Sequence, residues 1–245
     1  MPIIPNLPYS PDPRDRVAWG PGDVLLALAL AVSGLIFSIA AVFFIAAVLG
    51  FDLTNDQQLL GISLAATFIF DAFLFAIAVG FSVGKYHLSW HALGFRSLPL
   101  KRAWFPAVTL VAIVVAVIGY SLIVEALGID KLIPKSTIDN AVTDNTALTV
   151  LAGVLAVLVA PIVEETFFRG FIFGGLAKRF GFLGAALLSG LLFSLAHAQV
   201  GTILPFTLVG VALAWGYASS GSLWTAISAH FVWNVISFSL LIATN

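Results

Sequence analysis

The stretch from 147 to 177, ALTVLAGVLAVLVAPIVEETFFRGFIFGGLA, is apolar enough to cross a membrane, yet it contains three charged residues. About 20 apolar residues span a hydrocarbon core roughly 30 Å thick, so the stretch predicts a transmembrane helix. Its charges are Glu164, Glu165 and Arg169, near the middle of the run. A charge at the centre of a bilayer costs about 2.5 kcal/mol or more, so charges there predict a functional site.

The rest of the chain resembles this run in composition. Its 245 residues are 60% hydrophobic and only 9% charged, and the mean hydropathy is +1.08. Lipid offers the backbone no hydrogen bonds, so a spanning segment must be a helix or part of a closed barrel. The sequence lacks the alternating segments of about ten residues that a barrel requires. We therefore predict an all-α polytopic membrane protein.

The apolar runs predict about seven transmembrane helices, with the polar site inside the helix bundle. The predicted spans are 23–49, 57–82, 105–127, 147–177, 182–199, 202–219 and 222–243. We divide the chain into a Pro-rich cytosolic lead-in (1–22), N-terminal helices with an interfacial loop (23–146) and catalytic helices (147–245). Trp19, near the end of the lead-in, is expected to anchor at the membrane interface.

The basic residues between the spans predict the orientation, because Lys and Arg favour the cytoplasmic side. If the spans alternate, one side holds Arg14, Arg16, Lys85, Arg96, Lys101, Arg102, Lys178 and Arg179. The other side holds Lys131 and Lys135. We expect the N-terminus in the cytoplasm and the C-terminus outside, and the short loops favour a prokaryotic cell membrane.

Two joints between spans are longer than the rest. The segment 84–104 mixes aromatic and basic residues, which is typical of a segment at the cytoplasmic interface. The joint 128–146 lies on the opposite side, and it is either a solvated connector, which we favour, or a gate to the site.

Charge and cysteine content exclude several functions. The net charge is −1 and the basic residues form no stripe, so nucleic acid is not an expected partner. The chain has no cysteine, which excludes disulfides, thiol catalysis and thiolate–metal sites. The lead-in lacks the apolar core and cleavage site of a secretory signal. Membrane lipid and a membrane-associated peptide or protein are the partners we expect.

Strongly polar residues recur along the last four predicted spans: Glu164, Glu165, Arg169, His197, His230 and Asn234. Residues four apart share a helix face, so Glu165 and Arg169 can form an ion pair. Glu164 is rotated by about 100° from Glu165 and has no cation of its own in the helix. A carboxylate in that situation can serve as a general acid or base.

The histidines extend this set to other helices. His197 follows Phe193 by one turn in FSLAH, and His230 precedes Asn234 by one turn in HFVWN. If the helices converge, Glu164 and His197 can hold and deprotonate a water, while His230 and Asn234 stabilise an oxyanion. These residue types favour hydrolysis by an activated water.

Other interpretations of these residues stay open. A divalent metal such as zinc, held by Glu164, His197 and His230, is an alternative to the metal-free site. A single intramembrane His often only bonds helices together, and a Glu–Arg pair four apart is often structural. Asp71 and Glu125 can face the same cavity, pair with a neighbour or lie near an interface. His87 and His91 in the interfacial segment receive no chemical role.

The motifs EETFFR, FSLAH and HFVWN occur in the order E-E-x-x-x-R, F-x-x-x-H and H-x-x-x-N. This order resembles the CPBP family, the CAAX-protease and bacteriocin-processing (Abi) intramembrane proteases that include the prenyl-protein Ras-converting enzymes. The resemblance covers about 147–243, and LGFR at 93–96 is similar to a common joint of the family.

The resemblance implies roles for particular residues. Glu164 and His197 would activate the attacking water, and His230 and Asn234 would stabilise the oxyanion. Site-shaping or substrate-binding roles would fall to Glu165, Arg169 and Phe193. Both a metalloprotease and a metal-free glutamate mechanism are associated with the family, and the sequence lacks H-E-x-x-H. The substrate would be a membrane-associated peptide or protein, with prenylated proteins as one class.

We therefore predict an intramembrane endopeptidase of the CPBP type. One alternative is a small proton- or cation-coupled transporter, in which the same Glu and His residues relay protons. Another is a catalytically idle immunity or scaffold protein of the same fold. All the motif residues are present, which favours the enzyme.

Overall fold

The computed structural model describes residues 16–134, 136 and 138–244, and this part of the chain is helical, without strands. The helices are α1 (Pro21–Val48), α2 (Asp56–Val79), α3 (Phe105–Ala126), α4 (Thr146–Gly153), α5 (Ala160–Glu164), α6 (Gly174–Ala196), α7 (Ile203–Ser220) and α8 (Leu223–Ala243). Three π-helical segments extend or connect them: Gly80–Gly84, Val154–Val159 and Glu165–Phe173. We call Val154–Val159 the first π-segment and Glu165–Phe173 the site π-segment. The all-α membrane fold expected from the sequence is confirmed.

Six helical segments of the described chain are long and apolar enough to span a membrane, against the seven predicted. The difference lies in Thr146–Ala196, a continuous segment of 51 residues that contains the predicted fourth and fifth spans. Its backbone leaves the helical region at Gly181, with φ 67° and ψ −177°. A positive φ is readily adopted only by glycine, so Gly181 permits the break.

The chain turns back at this break. The Ser189 hydroxyl donates a hydrogen bond to the Phe168 carbonyl at 2.7 Å, and Phe173 packs edge-to-face on Phe182. These contacts join residues before and after Gly181 side by side. The two predicted spans are thus the arms of one hairpin, joined without a loop.

Small residues bring the second arm of the hairpin close to α7. A Cβ atom added to Gly190 would lie 2.7 Å from the Thr207 carbonyl oxygen, which is too close for any side chain. Ser194 also donates a hydrogen bond to the Ile203 carbonyl at 2.8 Å. Close approach through small residues is how membrane helices gain packing without a hydrophobic driving force.

Trp19 is buried inside the protein, so the prediction that its side chain anchors in the lipid interface is wrong. Its side chain is 1% exposed and stacks on Phe171, with ring centroids 5.8 Å apart. The indole N–H donates to the Phe171 carbonyl at 2.8 Å. That carbonyl belongs to the site π-segment and also accepts from the Gly174 N–H, so the indole is a second donor to it. The first fifteen residues of the predicted lead-in lie outside the described part of the chain.

Hydrogen bonds connect the N-terminal end of α1 to the joint after α2. Lys85 donates to Asp23 at 2.5 Å, and Tyr86 donates to the same carboxylate at 2.8 Å. The bond to Asp23 raises the pKa of Lys85.

The predicted interfacial segment follows as two short 3₁₀ turns, Trp90–Leu93 and Leu100–Arg102. Because Leu93 in this segment is buried, the segment packs partly against the protein.

Candidate active site

The site π-segment holds the Glu–Arg pair that the spacing predicts. Glu165 and Arg169 are both fully buried, and Arg169 Nη1 donates to Glu165 Oε1 at 2.7 Å. Because each charge neutralises the other, burial in an apolar helix bundle costs less than it would for either alone. π-Helical turns in otherwise regular helices occur frequently at functional sites.

His230 connects this pair to α8. Its Nδ1 lies 2.9 Å from Glu165 Oε1, the same oxygen that accepts the bond from Arg169. Its Nε2 lies 3.9 Å from Glu164 Oε2. A carboxylate that accepts from Nδ1–H fixes the orientation of the imidazole and leaves Nε2 for chemistry. The sequence did not predict the contact between Glu165 and His230.

His197 follows the last residue of α6 and has one ring nitrogen occupied. Its Nδ1 lies 2.8 Å from the Phe193 carbonyl oxygen. A carbonyl can only accept, so Nδ1 carries the proton in this hydrogen bond. In the neutral ring, Nε2 then bears the lone pair, and it can accept a proton or a hydrogen bond.

Phe193 lies between the charged pair and the histidines. The Arg169 guanidinium lies over its ring, 4.4 Å from the centroid. The His197 ring packs against it at 4.8 Å and the His230 ring at 5.8 Å, both edge-to-face. The aromatic ring thus contacts Arg169 and both imidazoles. The site-shaping role of Phe193 stays a prediction.

Asn234 donates to the backbone of the neighbouring helix. Its Nδ2 lies 2.7 Å from the Ala156 carbonyl oxygen, in the first π-segment. An amide NH₂ carries two hydrogens, so this bond leaves a second N–H for another acceptor. A structural contact and an oxyanion-stabilising role are therefore compatible for Asn234.

A cavity of about 740 Å³ brings the predicted site residues together. It is lined by residues of several helices, among them Glu164, Phe193, His197, His230 and Asn234. Glu165 and Arg169 do not line it, and they lie behind Phe193 and His230 as a supporting pair. The joint 128–146, for which we favoured a solvated connector, also contributes to the wall through Pro134, Ser136, Ile138, Asp139, Asn140 and Val142.

Asp71 of α2 is the site residue that the sequence left undecided. It lines the same cavity, is only 5% exposed, and its Oδ2 has no hydrogen-bond partner among the described residues. Its sequence signal was a lone acid in a predicted span, which could not show which way the side chain points. Glu125, the other undecided acid, is exposed near the end of α3 and does not line the cavity.

The side chains proposed as metal ligands do not form a ligand set in this arrangement. Within the described ranges, no group of three His, Asp or Glu side chains is placed to hold a metal ion. Glu164 Oε2 and His230 Nε2 are 3.9 Å apart, and His197 joins them in no such group. Catalytic zinc sites commonly use three protein ligands.

Comparison with known proteins gives one family match and one similar relative. Residues 146–236 match the family model described as type II CAAX prenyl endopeptidase Rce1-like, and the match includes all four predicted catalytic residues. The chain is also 30% identical over 138 residues to "Putative membrane peptidase YdiL" of Bacillus subtilis (strain 168).

That alignment covers 56% of this chain and 55% of the relative, so it spans about half of each protein. No solved structure gives a significant match. The matched region contains the site π-segment, the hairpin and the larger part of α8, which carry the three motifs in order. Residues 146–236 are thus similar to CAAX-protease-like membrane proteins, and this similarity agrees with the motifs that the sequence carries.

Proposed function

We propose that this protein is an intramembrane endopeptidase that hydrolyses a peptide bond with a water activated by Glu164 and His197. The observation that carries the proposal is the convergence of Glu164, His197, His230 and Asn234 on one cavity. The similarity to a CAAX prenyl endopeptidase family and to a membrane peptidase supports the same reaction class.

Glu164 and His197 supply the two acceptors that a nucleophilic water needs. His197 Nδ1 is occupied by the Phe193 carbonyl, which leaves Nε2 to accept a hydrogen bond from the water. The Glu164 carboxylate takes the proton as the water oxygen attacks the carbonyl carbon of the peptide. Attack converts the carbonyl oxygen to an oxyanion.

His230 and Asn234 are the donors for that oxyanion. Asn234 has a second amide hydrogen beyond the one given to Ala156. His230 donates from Nε2 when its ring is protonated, while its Nδ1 is held by Glu165 Oε1 at 2.9 Å. Donors held in place before the reaction stabilise developing charge without reorganisation.

Collapse of the tetrahedral intermediate completes the reaction. The carbon–nitrogen bond breaks, and the proton held by Glu164 passes to the departing amine. The new carboxylic acid retains the oxygen of the water, so the products are the two peptide fragments. Glu164 then returns to the form in which it started.

Asp71 is a substrate-positioning residue in this scheme. Asp71 lines the cavity that contains Glu164, and a carboxylate acceptor there can bind a backbone N–H of the substrate. Such a bond would hold an extended peptide beside the water without taking part in proton transfer.

The shape of the cavity favours an enzyme over a coupled carrier. The described residues that line it lie between the middle of the bundle and one end. Towards the other end, Trp19, Phe171 and Phe173 are buried and packed together with the core. A carrier needs alternating access from both ends of its site.

The proposal is tested with detergent-purified protein and a panel of membrane-anchored peptides, some prenylated and some not. We expect the wild type to cleave members of the panel and His197→Ala to lose cleavage while keeping its folded yield. A chelator should leave the wild-type rate unchanged, because the proposed chemistry uses side chains alone. Cleavage by His197→Ala at the wild-type rate would contradict the assignment, and loss with chelator would indicate a metal.

A further inference from the structure

The helix bundle has two ends that differ in charge. One, which we call the basic end, contains the start of α1, the joint 85–104, the turn at 178–181 and the turn between α7 and α8. Direct contacts hold these parts together. Lys178 donates to the Val17 carbonyl at 2.7 Å, Arg102 to the Ser220 carbonyl at 2.9 Å, and Leu223 N–H to the Gly94 carbonyl at 2.8 Å.

The opposite end, which we call the loop end, contains the joint after α1, the joint 127–145, the turn after α6 and the end of α8. Contacts join these parts as well. Gln57 donates to the Ala141 carbonyl at 3.0 Å, and Gln199 donates to the Ser136 carbonyl at 3.1 Å. These two hydrogen bonds therefore connect the joint 127–145 to α2 and to the turn after α6.

Basic residues are concentrated at the basic end. Among the described residues, this end contains Arg16, Lys85, Arg96, Lys101, Arg102, Lys178 and Arg179. The described part of the loop end contains Lys131. Short loops rich in Lys and Arg stay in the cytoplasm, so the basic end is cytoplasmic and the loop end faces outward.

The cavity opens at the loop end. From Glu164 in the middle of the bundle, its wall runs along the first half of α2 and the second half of α8. It reaches exposed residues at Ser136, Asp139 and Thr244. At the basic end, the packing of Trp19 on Phe171 closes the bundle below the site.

The charge of the cavity wall limits what can bind there. Its described lining contains the carboxylates Asp71, Asp139 and Glu164 but no Lys or Arg. Among the described lining residues, only the imidazoles His197 and His230 could pair with a free C-terminal carboxylate, and His230 is committed to the oxyanion in the proposed mechanism. Such a carboxylate would also be repelled by the three acidic side chains. An internal peptide segment that is neutral or basic avoids this repulsion.

We propose that the active site receives its substrate from the extracytoplasmic side of the membrane, as an internal, extended segment of a membrane-anchored or exported protein. We infer the side of access from the distribution of basic residues and from the position of the cavity. That the bound peptide is a substrate rests on the proposed peptidase function. A chain presented from the cytoplasm, such as a prenylated C-terminus, would not reach the mouth of this cavity.

The absence of cysteine from the sequence makes the side of access directly measurable. Three isosteric variants place one thiol each: Ser136→Cys at the mouth, Ser237→Cys on the cavity wall and Ser97→Cys at the basic end. Ser136, Ser237 and Ser97 are all exposed in this structure, and Ser97 is the matched control because it lies outside the cavity. Intact spheroplasts of a bacterial host are treated with a membrane-impermeant maleimide before and after permeabilisation.

We expect Ser136→Cys and Ser237→Cys to react in intact spheroplasts, and Ser97→Cys to react only after permeabilisation. The opposite pattern, or failure of Ser237→Cys to react from the outside, would overturn the proposal. Labelling does not require catalysis, so the Glu164→Gln background should give the same pattern. Outside labelling without cleavage of any peptide would leave the side of access standing and count against the peptidase function alone.

Discussion

Asn234 on α8 donates its side-chain amide to the Ala156 carbonyl, with the two atoms 2.7 Å apart. In a π-helix, each carbonyl pairs with the N–H five residues later, and for Ala156 that residue is Pro161, which has no N–H. Asn234 thus supplies the hydrogen bond that Pro161 cannot. This contact also holds the amide at the wall of the cavity.

Asn234→Ala should lower both stability and activity, because it removes the partner of a backbone carbonyl and an oxyanion donor. A polar group left unsatisfied costs about 1–3 kcal/mol, which thermal unfolding in detergent can detect. The double variant Pro161→Ala, Asn234→Ala restores a backbone N–H, so we expect recovery of the unfolding midpoint without recovery of cleavage. Recovery of both together would show that Asn234 has only a structural role.

Arg169→Ala should lower the folded yield as well as the activity. It leaves Glu165 as a buried carboxylate without its cation, and breaking a buried pair costs about 3–5 kcal/mol. The matched control is Arg179→Ala, which removes an exposed arginine from the same hairpin. Wild-type yield and unfolding midpoint in Arg169→Ala would contradict the stabilising role of the pair.

Trp19→Phe should destabilise the protein while keeping much of the stacking on Phe171. The substitution removes the hydrogen bond from the indole N–H to the Phe171 carbonyl, which also accepts from the Gly174 N–H, so the expected cost is that of one typical hydrogen bond, about 0.5–1.5 kcal/mol. Trp104→Phe is the control, since Trp104 is 52% exposed. Equal unfolding midpoints for the two variants would indicate that the hydrogen bond contributes nothing to stability.

Asp71→Leu should raise KM more than it lowers kcat, because it removes an acceptor that positions the substrate. Asp71→Asn keeps an acceptor oxygen of similar size, so we expect it to retain a KM close to that of the wild type. Steady-state kinetics on the best peptide of the panel separates the two constants. A loss confined to kcat in both variants would assign Asp71 to proton transfer instead.

Hydropathy and spacing predicted the features of this protein that depend on local sequence. The helical spans follow from runs of apolar residues, and the pair of Glu165 with Arg169 follows from their separation by four residues. The break at Gly181 lies in the gap between two predicted spans. Hydropathy could not predict that the chain crosses this gap without a loop, since it measures apolar length and not backbone geometry.

The features that depend on which helix faces meet could not be predicted. Glu165 and His230 are 65 residues apart, and their contact requires a particular rotation of α8 against the site π-segment. The burial of Trp19 depends in the same way on its packing against Phe171. Pro161 was the one local signal for the irregular backbone, because a proline inside a helix removes a hydrogen bond.

Activation of the water by Glu164 is tested most directly by comparing Glu164→Gln with Glu125→Gln. The second variant makes the same chemical change outside the cavity. The measurement is the single-turnover rate of peptide cleavage by purified protein, with folded yield checked in parallel. General acid–base catalysis contributes about 10²–10⁴-fold, so we expect Glu164→Gln to lose at least about a hundredfold while Glu125→Gln keeps the wild-type rate. Equal rates for both variants and the wild type would contradict the claim that Glu164 activates the water.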